Sequence, residues 1–192
     1  MILVTGASGK TGNAVVKALA AKGADVRALV RRAEQAPALR VIGAVEVAIG
    51  SFDEPATLMR AADGANAIYH ICPNVSRHEL SFAETVAAAA RVHGVKRFVF
   101  HSVLHPQIEA MPHHWQKMRT EEMLLAAGFD LTILQPTAYM QNILAAWRGR
   151  RRGRRIPRAL SDRVAAEPGR PRRCRRSRGA GAHREWAYRR DL

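Results

Sequence analysis

An α/β fold, a doubly wound parallel sheet, is what this 192-residue sequence predicts, on three observations. Short apolar runs alternate with amphipathic helical patterns, so each strand must reach the next through a helix. The runs are largely unbroken Val, Ile, Leu and Phe, the pattern of strands covered on both faces. The first run leads directly into Thr5-Gly6-Ala7-Ser8-Gly9-Lys10-Thr11-Gly12, three glycines spaced by three between a strand and a helix.

Taken in order, Ile2–Thr5 reads as the first strand and Lys10–Ala21 as a helix, with Val15, Val16, Leu19 and Ala20 at helical spacing and Gly23 closing it. Asp25–Val30 is the second strand, Ala36–Ile42 a short helix and Val45–Ile49 the third strand. Glu54–Ala61 is helical, and Ala67–Ile71 is a strand stopped by Pro73. Leu80–His93 is an Ala-rich helix capped by Gly94, and Arg97–His101 is the fifth strand. Pro112–Ala127 is a long helix, Leu131–Leu134 the sixth strand, and Ala138–Trp147 begins another helix after Pro136. Strands joined by single helices pair in parallel through right-handed crossovers, and the expected order is 3-2-1-4-5-6.

The charge divides the chain. The net charge is +15, yet residues 1–147 carry 14 basic and 12 acidic side chains, whereas residues 148–192 carry 17 Arg, no Lys and 4 acids. The excess therefore belongs to a tail and argues against nucleic-acid recognition by the fold itself. We divide the chain at this point, into a nucleotide-binding domain over 1–147 and an Arg-rich tail over 148–192, disordered or translated out of frame. The tail has few large aliphatics to offset its ordering entropy. Three readings compete for it: a basic arm on nucleic acid, a solvated extension, and an out-of-frame translation, which we favour. Arg codons of the form CGN, read one base later, give GNC, which encodes Gly, Ala, Val or Asp. One permitted back-translation of Ala165–Trp186, shifted by one base, reads as a strand, an Asp cap and an Ala-rich helix.

Two cysteines, Cys72 and Cys174, give neither a disulfide framework nor a metal spacing, which suits a reducing cytoplasmic setting. A strand starting at residue 2 leaves no room for a signal peptide, and no apolar run approaches a membrane span. The expected partner is a small-molecule substrate, with no membrane, and either a monomer or a homodimer is compatible with the sequence.

The glycine turn points to a dinucleotide. Gly6 allows the sharp turn, Gly9 lets backbone approach a pyrophosphate, and Gly12 lets the helix pack close to the strand. The free N–H groups of the first helical turn then face the phosphates, with Ala7, Ser8, Lys10 and Thr11 completing the corner. The second strand ends in Arg31 and Arg32, where an NAD-specific site carries an acid for the ribose hydroxyls. Guanidinium groups suit a 2′-phosphate, so NADP(H) is expected in preference to NAD(H), against the alternative of two solvated arginines. Asp53 would accept a hydrogen bond from the adenine amino group with Phe52 beside it, or cap the next helix. Ile71, Cys72 and Pro73 stand where the cofactor crosses the fourth strand, with Cys72 a small apolar neighbour rather than a nucleophile.

Ser102 follows the fifth strand, and His113 and Lys117 share one face of the next helix. A hydroxyl and a Lys there would orient the nicotinamide ribose and polarise a carbonyl, with His113 as proton donor; the alternative for Lys117 is a solvated position. His113 and His114 lack a third ligand, so no metal is expected. Glu121 and Glu122 read as a solvated face, with Glu121 able to pair with Lys117. After the sixth strand, Tyr139 and Asn142 would line a substrate pocket; the alternative is that Pro136 only sets a turn before a helix.

These residues resemble the NmrA-like branch of the atypical short-chain dehydrogenases/reductases. The resemblance rests on TGASGKTG at 5–12, VRALVRR at 26–32, FVFHSV at 98–103, HHWQKMRTEEML at 113–124 and LTILQPTAYMQN at 131–142. It implies a Rossmann-like domain preferring NADP(H), followed by a small substrate lobe, and activities such as reduction of quinones, azo dyes and phenylpropanoid-type compounds. It also implies a second way of working, since some members sense dinucleotides and regulate a transcription factor without turnover. The chain departs from the wider superfamily at the Tyr-x-x-x-Lys pair, with His113 four residues before Lys117. The substrate lobe would fall where the Arg-rich tail stands, so the predicted architecture is the Rossmann-like sheet with that lobe missing. The expected activity is hydride transfer from NADPH to a small quinone-like or carbonyl acceptor.

Overall fold

In the computed structural model the described residues are 1–73 and 75–141. They form six parallel strands in the order β3-β2-β1-β4-β5-β6. The strands are β1 (Ile2–Val4), β2 (Val26–Val30), β3 (Glu46–Ile49), β4 (Ala67–His70), β5 (Arg97–His101) and β6 (Asp130–Leu134). The helices are α1 (Lys10–Ala21), α2 (Ala36–Val41), α3 (Pro55–Ala62), α4 (Glu79–Val92) and α5 (Pro112–Ala126). A 3-10 turn at Ala33–Gln35 leads into α2. Sequence boundaries hold to one residue at each end, and Glu79 is gained at the first position of α4. The helix expected over 138–147 lies almost wholly outside the described residues, with helical backbone at Met140 and Gln141.

Alternation along the strands divides the core between two faces. Leu3, Leu29, Ile68, Phe98 and Phe100 point to the layer of α3, α4 and α5, where Leu58, Val86, Ala90 and Leu124 meet them. Val4, Val26, Ala28 and Val30 point the other way, onto Val16 of α1 and Leu39 of α2. Each of these larger aliphatic and aromatic side chains contributes roughly 1.5–3 kcal/mol by leaving water.

The carboxyl ends of all six strands open on one rim. Chain direction reverses its spatial progress between β1 and β4, which are paired through Leu3↔Ile68 and Val4↔Tyr69. Ligands bind at such a switch point in open α/β sheets. A hydrogen-bonded stitch fixes it: the Ile71 N–H donates to the Thr5 hydroxyl oxygen at 2.9 Å, and that oxygen lies 2.9 Å from His70 Nδ1.

Candidate functional site

The rim is built first by the loop from β1 to α1. Gly6 has φ +60, and a Cβ on it would lie 2.6 Å from the Ile71 carbonyl oxygen. Both facts require glycine there. A Cβ on Gly12 would lie 2.6 Å from Ala7 Cα, so this residue is what lets α1 seat against its own loop. Asn13 ties the turn by donating from Nδ2 to the carbonyls of Ala7 and Gly9 at 2.7 and 3.1 Å. Gly9 caps α1 without any side-chain hydrogen bond. The N–H groups of the first turn are thereby left for a ligand, and the helix dipole favours an anion. This cradle fits a pyrophosphate: close backbone, no Cβ in the way, and donors in front. Ser8, Gly9 and Lys10 are exposed along it, while Ala7 is buried beneath.

Arg31 and Arg32 follow β2 and are both exposed, and among the described residues neither makes an ion pair. The Arg32 N–H donates to Gln35 Oε1 at 3.1 Å, turning the chain into α2. Asp53 is exposed and does not cap α3, whose N-cap is Glu54 with no side-chain bond; the capping alternative is thus corrected. The Ser51 hydroxyl donates to Asp53 Oδ2 at 3.3 Å. Phe52 is buried and stacks on Phe82 at 5.1 Å, so it is a core residue rather than a surface beside adenine.

After β4, Ile71 is half-buried, Cys72 buried and Pro73 exposed. Burial, and then the neighbouring Glu79 carboxylate, push the Cys72 thiol up, so it stays uncharged. Lys117 of α5 also acts on this thiol, through its charge. Its Nζ donates to Glu79 Oε1 at 2.7 Å and to the His101 carbonyl at 3.1 Å, and stands 5.1 Å from the Phe100 ring centroid. The solvated alternative for Lys117 is corrected: its side chain is 14% exposed and that of Glu79 only 2%. Each of these groups, shielded from water, has the other as its nearest charge.

Glu121 also corrects the sequence reading. It is buried, and its partner is not Lys117: it accepts from the Ser102 hydroxyl and from Gln135 Nε2 at 2.9 and 3.1 Å. This carboxylate therefore ties β5, α5 and the loop after β6 together, and the Ser102 hydroxyl is directed at it. Glu122 is exposed, as a solvated face requires. His113 is half-buried, its ring set edge-on to His114 at 4.6 Å. Burial, then His114, then Lys117 lower its pKa, so it is neutral near pH 7. His114 Nδ1 donates to the His105 carbonyl at 2.9 Å, and no group of three or more metal-ligating side chains occurs among the described residues.

Tyr139 stands exposed after β6, and Asn142 lies outside the described residues, as does the tail from 148 to 192. Sequence reasoning missed Glu79, Tyr69 and His101. Glu79 reads as an ordinary acid just before the helix expected from Leu80. Tyr69 and His101 read as strand residues, and only the pairing of β4 with β5 brings them together. No helix of the described residues is long and apolar enough to cross a membrane.

Comparison with known proteins agrees with this geometry. The sequence profile of the NmrA-like family matches residues 1–153. An NAD(P)H azoreductase of Xenophilus azovorans is 32% identical over 146 residues, covering 75% of this chain and 50% of that protein. A (4-alkanoyl-5-oxo-2,5-dihydrofuran-3-yl)methyl phosphate reductase of Streptomyces griseus is 35% identical over 164 residues, covering 83% and 55%. Among solved structures, the NADPH complex of an Escherichia coli NADPH-dependent quinone oxidoreductase superposes with a TM-score of 0.70 at 29% identity, covering 80% of this chain and 55% of that one. The chain spans about half the length of the curated relatives it matches.

Proposed function

The chain belongs to the NmrA-like family, and from that premise we propose that it binds NADP(H) and works as an NADPH-dependent oxidoreductase on a small quinone-like or carbonyl acceptor. The observation that carries this reading is the glycine cradle, where Gly6 and Gly12 leave room only for backbone and α1 presents uncapped N–H groups. Gly6 to Gly12 would hold the pyrophosphate, and Arg31 and Arg32 the 2′-phosphate. Asp53 would take the adenine amino group, and Ile71 to Pro73 would floor the crossing of β4. When bound, NADPH supplies a hydride. Lys117, fixed by Glu79 and the His101 carbonyl, would orient ribose and acceptor at the end of β5, with Ser102 bracing that strand end through Glu121. Tyr139 and Asn142 would line the acceptor pocket. The relatives named as NAD(P)H azoreductase and NADPH-dependent quinone oxidoreductase support this class of acceptor.

A second reading is a dinucleotide sensor without turnover, and His113 in place of a Tyr four residues before Lys117 favours it. One pair of measurements separates the two. Calorimetry is expected to show NADPH binding tighter than NADH, and Arg31→Ala with Arg32→Ala should weaken NADPH roughly tenfold or more while leaving NADH unchanged. NADPH oxidation across a panel of quinones and carbonyls then decides between enzyme and sensor. Absence of binding to either form of the cofactor would overturn both.

A further inference from the structure

A reduction that adds hydride to a carbonyl also needs a proton, and the position that carries a phenol in Tyr-x-x-x-Lys members holds His113 here. The rim offers a phenol by another route. Tyr139 is 38% exposed, and its Oη lies 2.5 Å from His101 Nε2. The other ring nitrogen of His101, Nδ1, lies 3.0 Å from Tyr69 Oη. His101 is the last residue of β5 and Tyr69 the third of β4, so neighbouring strand ends set the two rings 6.1 Å apart. The result is one hydrogen-bonded line, from half-buried Tyr69 through His101 to Tyr139 at the solvent side. The carbonyl of the same His101 accepts from Lys117 at 3.1 Å, which anchors the line to the one Lys of the rim helix.

We propose that Tyr139 is the proton donor of the reduction, with His101 and Tyr69 as its positioning residues. This rests on the oxidoreductase reading given above.

Counting protons leaves two directions for the line, one for each His101 tautomer, and the donor role belongs to the one that starts at Tyr69. Burial and then Lys117 lower the pKa of His101, so the imidazole is neutral and carries one N–H. Burial and then Tyr139 raise the pKa of Tyr69, which keeps its phenolic proton. With Tyr69 O–H donating to Nδ1, the N–H sits on Nε2 and donates to Tyr139 Oη. The Tyr139 O–H then points away from the imidazole, free for an acceptor. In the opposite tautomer Tyr139 would donate to Nε2 and have no proton to offer.

The step balances. The acceptor carbonyl carbon takes the hydride of NADPH, the π pair moves onto oxygen, and that oxygen takes the Tyr139 proton. The His101 N–H stabilises the phenolate as its charge develops, and water at the exposed edge returns the proton. His113 is not needed as a donor.

The test uses the full chain and its Tyr139→Phe and Tyr69→Phe variants. In Tyr139→Phe, kcat is expected to fall roughly 100-fold or more, with loss of the alkaline limb of the kcat profile. The KM for NADPH should stay within about threefold, because the binding cradle is untouched. Tyr69→Phe should lower kcat about tenfold and, in nitrogen-15 NMR of His101, shift the ring from the Nε2–H form toward a tautomer mixture; this readout needs no turnover. Wild-type turnover with an unchanged kcat and pH profile in Tyr139→Phe would overturn the donor and leave the oxidoreductase reading standing. An Nδ1–H ring in the wild type would also overturn it. NADPH binding without oxidation by any acceptor would remove the oxidoreductase reading, and the donor with it.

Discussion

At Lys117 the cost of burying a charge decides what a substitution does. Its ammonium and the Glu79 carboxylate sit 2.7 Å apart with little solvent around either. Removing one partner strands the other. Lys117→Met is expected to destabilise the fold by about 3–5 kcal/mol, and a Lys117→Met, Glu79→Gln double variant to recover most of that loss, measured by urea unfolding. If the rim chemistry runs through Lys117, the double variant regains stability without regaining NADPH oxidation. Recovery of both would assign Lys117 a purely structural place.

At the scale of elements, the β1–α1 loop and the clamp of β5, α5 and the loop after β6 differ in how they were written into the chain. The shape of the glycine turn was legible, because close backbone approach leaves no residue but glycine at Gly6 and Gly12 and the sequence displays both. Gly12→Ala is expected to force α1 away from Ala7, with a loss of NADPH affinity of roughly tenfold or more and a measurable drop in melting temperature. An unchanged affinity would reject the cradle as the phosphate site. Strand order was legible too, since alternation of single strands and helices leaves few right-handed solutions. Glu121 was not. A Glu four residues after a Lys on a helix reads as an exposed pair. Ser102 and Gln135, distant in sequence, draw the carboxylate inward instead. Tyr69 and His101, and their link to Tyr139, were hidden for the same reason: side-chain partners across strands depend on register, which composition does not carry.

Over the whole molecule, buried histidines set the response to acid. His70 is fully buried, and burial first, then Lys117, lower its pKa from 6.5 to about 3. The unfolded chain therefore binds a proton that the folded one refuses. The contribution is present in full above about pH 6.5 and is lost progressively as the pH falls toward 3, with His101 and His113 adding in the same direction. Melting temperature is expected to drop between pH 7 and pH 5, and to drop less in His70→Leu, which removes the group that titrates. Equal slopes would show that other groups govern the acid limb. The Arg-rich stretch over 148–192 lies outside the described residues, and its out-of-frame reading is checked by the nucleotide sequence across codons 140–155.

The Thr5 hydroxyl touches both sides of the sheet's turning point, taking the Ile71 N–H and facing His70 Nδ1. One side of that contact leads directly into the phosphate turn through Gly6, and the other into the segment bearing Cys72. A molecule settling on either would be felt by its neighbour through a single oxygen. If the phosphate turn and the segment at Cys72 hold the cofactor as proposed, their grips are mechanically one property, and a Thr5→Val chain should blunt both together.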